Sequence, residues 1–191
     1  MNYLIVESHP YEESFNAAAA AKLQEVGTQK GHSVKRINLV DDGFNPTMTA
    51  NDLRLWAKGE SDDPLVQKYQ KAIDEADILI FPFPIWWGTM PAILKGFCDK
   101  IFLQGWAYKD DENGKMMSLL KGKKAMVIIT METPLDVFEN QFNDPVKGGF
   151  INDTLEICGI EVVKYYQIED IISGGRAGAE RRMAEIATFI E

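Results

Sequence analysis

Two unbroken apolar runs, Ile78-Leu79-Ile80-Phe81 and Ala125-Met126-Val127-Ile128-Ile129, restrict this chain more than any other feature. Successive side chains of a strand point to opposite faces, so a strand without a polar position has to be covered on both sides. A sheet with one wet face would alternate instead. The two runs therefore predict strands of a parallel sheet with helices above and below, and Ile78–Phe81 is the expected sheet centre.

A third short apolar run, Asn2-Tyr3-Leu4-Ile5-Val6, precedes a stretch opened by Ser14, with Phe15, Ala18, Ala19, Leu23 and Val26 at three- and four-residue spacings. That succession predicts strand, loop and helix. Gly31 ends the helix, and Val34 to Val40 alternates apolar with charged residues as a more exposed strand does. A polar connection from Asp41 to Thr49, with Gly43 and Pro46 as turn formers, leads to helices over 52–58 and 64–76. Pro91 to Leu103 has helical spacing. Beyond the Ala125 strand, helices over 136–142 and 150–158 flank a break at Pro145, Gly148 and Gly149. Val162 to Gln167 reads as the last strand and Ala179 to Ile190 as a closing amphipathic helix.

Five alternations of strand and helix argue for right-handed crossovers on a parallel sheet. With 191 residues, 46% of them hydrophobic, the chain can bury one core, and one domain over 1–191 is expected. The economical order is 2-1-3-4-5, an α/β three-layer sandwich whose ligand crevice opens at the carboxyl ends of strands 1 and 3, where the order reverses. The loops after Val6 and Phe81 are therefore where chemistry is expected.

A net charge of −9 argues against nucleic-acid binding, which draws on basic patches. By the same token, a bound phosphate has to be held mainly by backbone dipoles. No stretch approaches the roughly 18 apolar residues of a membrane span, and the start has neither a basic flank nor a small-residue cleavage site, so a cytoplasmic protein without membrane insertion is expected. Cys98 and Cys158 lie in apolar helical patterns, and His9 and His32 are the only histidines. Neither a disulfide nor a metal site is expected.

The first loop, Glu7 to Asn16, lacks the Gly-x-Gly-x-x-Gly spacing of a dinucleotide turn, and no Walker-type loop occurs in the chain. The helix that follows nevertheless begins with unpaired N–H groups and a dipole that favours negative charge, which suits a phosphate. Ser14 and Asn16 can add side-chain donors, and His9 a donor or partial positive charge. The alternative is Ser14 as a plain N-cap and His9 as a turn residue. Glu12 and Glu13 oppose an anion unless they face solvent.

The second loop, Pro82 to Pro91, holds three prolines, Trp86, Trp87 and Gly88. Proline fixes the backbone, and tryptophan offers a flat apolar face for stacking on a planar ring. The alternative is that the tryptophans pack beneath a helix or in a dimer contact. Gly105-Trp106-Ala107-Tyr108 adds two aromatics, ligand-facing or in the core.

His9-Pro10, Ser14-Phe15-Asn16, Asn45-Pro46, Pro84-x-x-Trp87-x-x-x-Pro91-Ala92-x-Leu94-Lys95-Gly96 and Gly105-x-Ala107-Tyr108 together resemble the flavodoxin-fold NAD(P)H:quinone oxidoreductases. That family includes DT-diaphorase-like enzymes and ancillary reductase subunits of bacterial potassium-efflux systems. The resemblance implies a flavodoxin-like fold, FAD or alternatively FMN as cofactor, and NAD(P)H as co-substrate. It also implies ping-pong hydride transfer to a quinone or similar planar acceptor, and a homodimer with its sites at the subunit interface. His9, Ser14, Phe15 and Asn16 would hold the flavin phosphates and ribityl chain, and Pro84, Ile85, Trp86, Trp87 and Gly88 would frame the ring. Trp87 and Tyr108 would stack at the reacting face, Tyr108 from the partner subunit, with Thr130 near the ring edge. A flavodoxin-type electron carrier and a regulatory ancillary subunit of a membrane transporter are the competing readings. Where the family commonly has Thr-x-Gly-Gly, this chain has Thr130-Met131-Glu132-Thr133-Pro134, and the side chains of Met131 and Glu132 are expected to hold the backbone off the flavin. If Glu132 faced the ring, its charge would oppose the negative charge a flavin gains on reduction. Phe138 and Phe142 are the nearest aromatics where the family often has tyrosine and histidine.

Overall fold

The computed structural model describes residues 1–56 and 58–190. In chain order its elements are β1 (Asn2–Glu7), α1 (Phe15–Gln29), β2 (Ser33–Asn38), α2 (Ala50–Trp56), α3 (Pro64–Glu75), β3 (Ile78–Pro84), α4 (Ala92–Ile101), β4 (Tyr108–Asp110), β5 (Met116–Ser118), β6 (Lys124–Thr130) and α5 (Leu135–Asn140). A π-helix (Val146–Glu156), β7 (Glu161–Ile168) and α6 (Gly175–Ile186) complete the chain. The main sheet is parallel, in the order β2-β1-β3-β6-β7. This is the expected five-stranded flavodoxin-like three-layer sandwich.

The unbroken apolar runs are explained by two cores. Leu4, Val6, Leu79, Phe81, Phe83, Ala125, Val127 and Ile129 enter one, with α3, α4 and the π-helix. The intervening Tyr3, Ile5, Ile78, Ile80, Met126 and Ile128 enter the other, with α1 and α6. The period of two is present, but both phases are apolar. Gly96 lets α4 lie against the β2–α2 connection, since a Cβ there would come within 2.3 Å of Pro46.

The prolines of β3 shape the crevice. β1 pairs with β3 only as far as Ile80, whereas β6 continues to Pro84, and the Ile85 N–H donates to the Thr130 carbonyl. Backbone donors alternate sides along a strand, so Pro82 and Pro84 face the β1 side, where pairing has ended and no donor is needed. The strand thus runs three residues past the expected Phe81.

Other elements also depart from expectation. The π-helix runs through Gly148 and Gly149, where a break was expected, because Phe150 is fully buried edge-on against Phe81 (5.2 Å) and Phe83 (5.8 Å). Tertiary packing overrides glycine's weak helix propensity there. The hairpin of β4 and β5 was not anticipated, since three-residue strands leave no period to read. α6 begins four residues before Ala179 and ends at Ile186. Ala57, within the expected 52–58 helix, lies outside the described residues.

Candidate cofactor site at the switch point

Ser14 caps α1 by accepting from the Ala17 amide at 3.1 Å, a contact worth about 1 kcal/mol. Among the described residues, the Phe15 and Asn16 amides find no acceptor within the chain, so two N–H groups stay available at the positive end of a fifteen-residue helix. The His9 Nδ1 accepts from the Tyr11 amide at 3.1 Å, which puts the neutral ring's proton on Nε2 and makes it a donor. Burial pulls the His9 pKa below its ordinary 6.5. Its ring meets Trp86 edge-on at 5.7 Å. Glu12 and Glu13 are exposed, and Glu13 is bound by the Tyr11 hydroxyl.

Behind this turn, the buried Asn16 Nδ2 donates to the buried Thr130 Oγ1 at 2.9 Å, joining the start of α1 to the end of β6. The Asn16 Oδ1 and the Ser8 Oγ are buried without a partner. Unpaired buried polar atoms are costly, so they mark a place built for something else. Rotating the carboxamide by a half-turn exchanges its two ends: the Thr130 hydroxyl then donates to Oδ1, and the free end becomes an NH₂ donor. Ser8 carries no sequence signal, since only burial distinguishes its hydroxyl.

Trp86 and Thr89 exchange backbone hydrogen bonds (2.9 and 3.3 Å) around Trp87 (φ +50°) and Gly88 (φ +81°), the positive-φ pair of a type I′ turn. Glycine accepts that region freely. A tryptophan there carries strain, of a kind that clusters at functional sites. Trp87 is fully exposed. Together with Ile85, Gly88, Thr89, Thr133, Phe142 and Pro145 it lines an open cleft of about 590 Å³ with no charged side chain on its walls.

The opposite wall answers the Met131 and Glu132 question. Met131 is buried in the core, its amide donates to the Ile168 carbonyl (2.8 Å), and its carbonyl accepts from the Ile171 amide (3.4 Å). The Glu132 carboxylate accepts from the Ile172 amide at 2.5 Å, and Glu169 from the Leu135 amide at 2.7 Å. Glu132 is thus turned toward the β7–α6 connection and does not line the cleft. Phe138 is core, while Phe142 is half-exposed in the cleft.

α1 and α6 pack side by side on one face of the sheet, and each follows a parallel strand, so their N-termini lie at the same end. There a second pocket, of about 370 Å³, is lined by Glu169, Asp170, Gly174, Gly178, Arg181 and Arg182 among others. Of the sequence-predicted residues, Ile85, Trp87 and Gly88 meet in the cleft; Pro84 is buried at the end of β3 beneath it. His9, Ser14, Phe15 and Asn16 gather at the start of α1. Tyr108 is not among the cleft's lining; it packs on Trp56 (6.4 Å) in its own chain. Trp106 lies face to face with Phe102 at 6.4 Å. Both cysteines are buried thiols, and burial pushes that of Cys158 up to about 11.

A helix terminus with open amides beside an aromatic-walled cleft, at the point where a parallel sheet reverses its order, defines the class of flavodoxin-like proteins. The family model described as "flavodoxin-like fold" matches residues 1–191. An uncharacterized NAD(P)H oxidoreductase of Haemophilus influenzae is 32% identical over 90% of this chain and 85% of its own length. The mouse ribosyldihydronicotinamide dehydrogenase [quinone] is 29% identical over 84% of this chain and 78% of its own. Among solved structures, Smu.1420 from Streptococcus mutans UA159 superposes with a TM-score of 0.87 at 32% identity, covering 100% of this chain and 98% of that one. The chain belongs to the flavodoxin-like family of NAD(P)H:quinone oxidoreductases and ribosyldihydronicotinamide dehydrogenases. No helix among the described residues is long and apolar enough to cross a membrane.

Proposed function

We propose that this protein is a flavin-dependent NAD(P)H:quinone oxidoreductase in which co-substrate and acceptor occupy the same cleft in turn. The observation that carries the reading is the pairing of an uncharged aromatic cleft with unclaimed donors at the start of α1. The residues fit a flavin. A phosphate would take the Phe15 and Asn16 amides with the His9 Nε2–H, needing no lysine or arginine, and a ribityl hydroxyl would meet the orphaned end of the Asn16 carboxamide. When bound, the flavin supplies the hydride chemistry, taking a hydride from NAD(P)H and passing it to the acceptor.

The chain's own groups bind, orient and exclude water. Trp87 and Phe142 offer flat apolar faces to a planar substrate, Pro84 fixes the backbone beneath it, and Thr130 holds Asn16 in place. FAD is preferred to FMN in this reading because Arg181 and Arg182, together with Glu169 and Asp170, line a pocket at the end of the sheet where α1 begins, and a guanidinium there can stack on an adenine or pair with a phosphate. The same reading has residues 1–191 working as one domain, in the cytoplasm, as a homodimer whose second copy covers the exposed Trp87 and brings Tyr108 to the facing site.

Purified protein scanned for flavin absorbance and assayed for NADH and NADPH oxidation with a soluble quinone tests the reading. Yellow protein with quinone-dependent turnover is expected. A colourless preparation that stays inactive after addition of FAD or FMN overturns it, and a monomer by sedimentation overturns the dimer.

A further inference from the structure

We propose that Glu132 is a positioning residue whose carboxylate clasps the Ile172 amide and so locks the ring cleft to the pocket at α6 that Arg181 and Arg182 line, making them one site sized for FAD. The proposal rests on the flavin reading above. Its basis is the set of ties between the two connections. Met131 exchanges backbone bonds with Ile168 and Ile171, while Glu132 and Glu169 cross in opposite directions, Glu132 to Ile172 and Glu169 to Leu135. Thr133, next to Glu132, lines the cleft; Asp170 and Gly174, flanking Ile172, line the pocket with Arg181 and Arg182. The Glu132 bond therefore joins a residue beside one cavity to a residue beside the other, forty positions apart.

A carboxylate accepting an amide N–H is a strong clasp for two loops that share no helix or strand. It also accounts for the charge. A Glu132 committed to Ile172 serves the geometry of the site without lining the ring cleft. FAD differs from FMN by the adenylate, the part that would reach the arginine pocket. Loosening the clasp lets the pocket shift relative to the cleft, and this weakens FAD while leaving FMN nearly untouched.

The test compares wild type, Glu132→Ala and Glu132→Gln, the last keeping an acceptor oxygen without the charge. In flavin-free protein, amide exchange at Ile172 is expected to quicken about tenfold in the alanine variant and to return near wild type in the glutamine variant. In titrations followed by flavin fluorescence, the alanine variant is expected to bind FAD about tenfold more weakly and FMN within about twofold of wild type, with glutamine restoring most of the difference. Unchanged Ile172 exchange in the alanine variant overturns the clasp. Equal weakening of both flavins overturns its role in joining the cavities, and a glutamine variant that behaves like alanine assigns the effect to charge instead of position. Wild-type protein that takes up neither flavin overturns the flavin reading, and Ile172 exchange then decides the clasp alone.

Discussion

The two walls of the cleft are built on opposite principles. The β3–α4 turn projects a fully exposed tryptophan on a left-handed backbone, with few ties beyond the Trp86–Thr89 pair. The β6–α5 loop buries its apolar residue and is stitched to the β7–α6 connection by four hydrogen bonds, two of them to carboxylates. One wall presents chemistry at the expense of local strain. The other supplies rigidity. A planar substrate is thus expected to be gripped between a fully exposed tryptophan face and a loop tied in place from behind.

The largest effect is expected at Met131. Truncation to alanine should lower stability by about 2–5 kcal/mol in urea unfolding, as for other buried methionines. A loss under about 1 kcal/mol would mean the loop is not anchored through the core. Thr130→Val comes next, since it strips the Asn16 carboxamide of its remaining partner, and a loss of about 1–3 kcal/mol is expected. Trp87→Gly should act with the opposite sign, raising stability by about 1 kcal/mol through relief of the positive φ. Quinone turnover should fall by roughly tenfold in the same variant, the worth of about one aromatic stacking contact. A lowered melting temperature there would show that packing of Trp87, on a second copy of the chain, outweighs the strain of its backbone.

The smallest effect concerns His9. Burial favours its neutral form in the folded chain, so its contribution to stability is complete above 6.5 and is lost as pH falls through the lowered folded pKa. A phosphate at the α1 terminus would favour the protonated ring and move the titration upward. Imidazole resonances followed by NMR should give a His9 midpoint below 6.5 without flavin and a higher one after FMN is added. A midpoint unmoved by FMN would place the phosphate elsewhere.

Much of this was legible in the residues. The runs at 78–81 and 125–129 gave the doubly covered sheet, and Ser14 proved to be the cap of α1, with open amides beyond it. The tryptophan turn was legible as unusual composition, although its type I′ geometry was not, because an aromatic at positive φ follows from no propensity. Glu132 was read as a possible charge against the ring, since its real partner is an amide forty residues on. Phe138 and Phe142 are alike in sequence, yet Phe138 is core and Phe142 half-exposed in the cleft, a difference that depends on packing.

Local periodicity, capping and backbone restriction were enough to set the alternation of strands and helices, the point where the sheet order reverses and the two loops that meet there. Which groups those loops hold in place depends on long-range packing. The Asn16–Thr130 bond spans 114 positions, and the burial of Phe150 that carries the π-helix through two glycines depends on β3 lying beneath it. Such contacts are properties of packing between distant segments, and no pattern within either segment contains them.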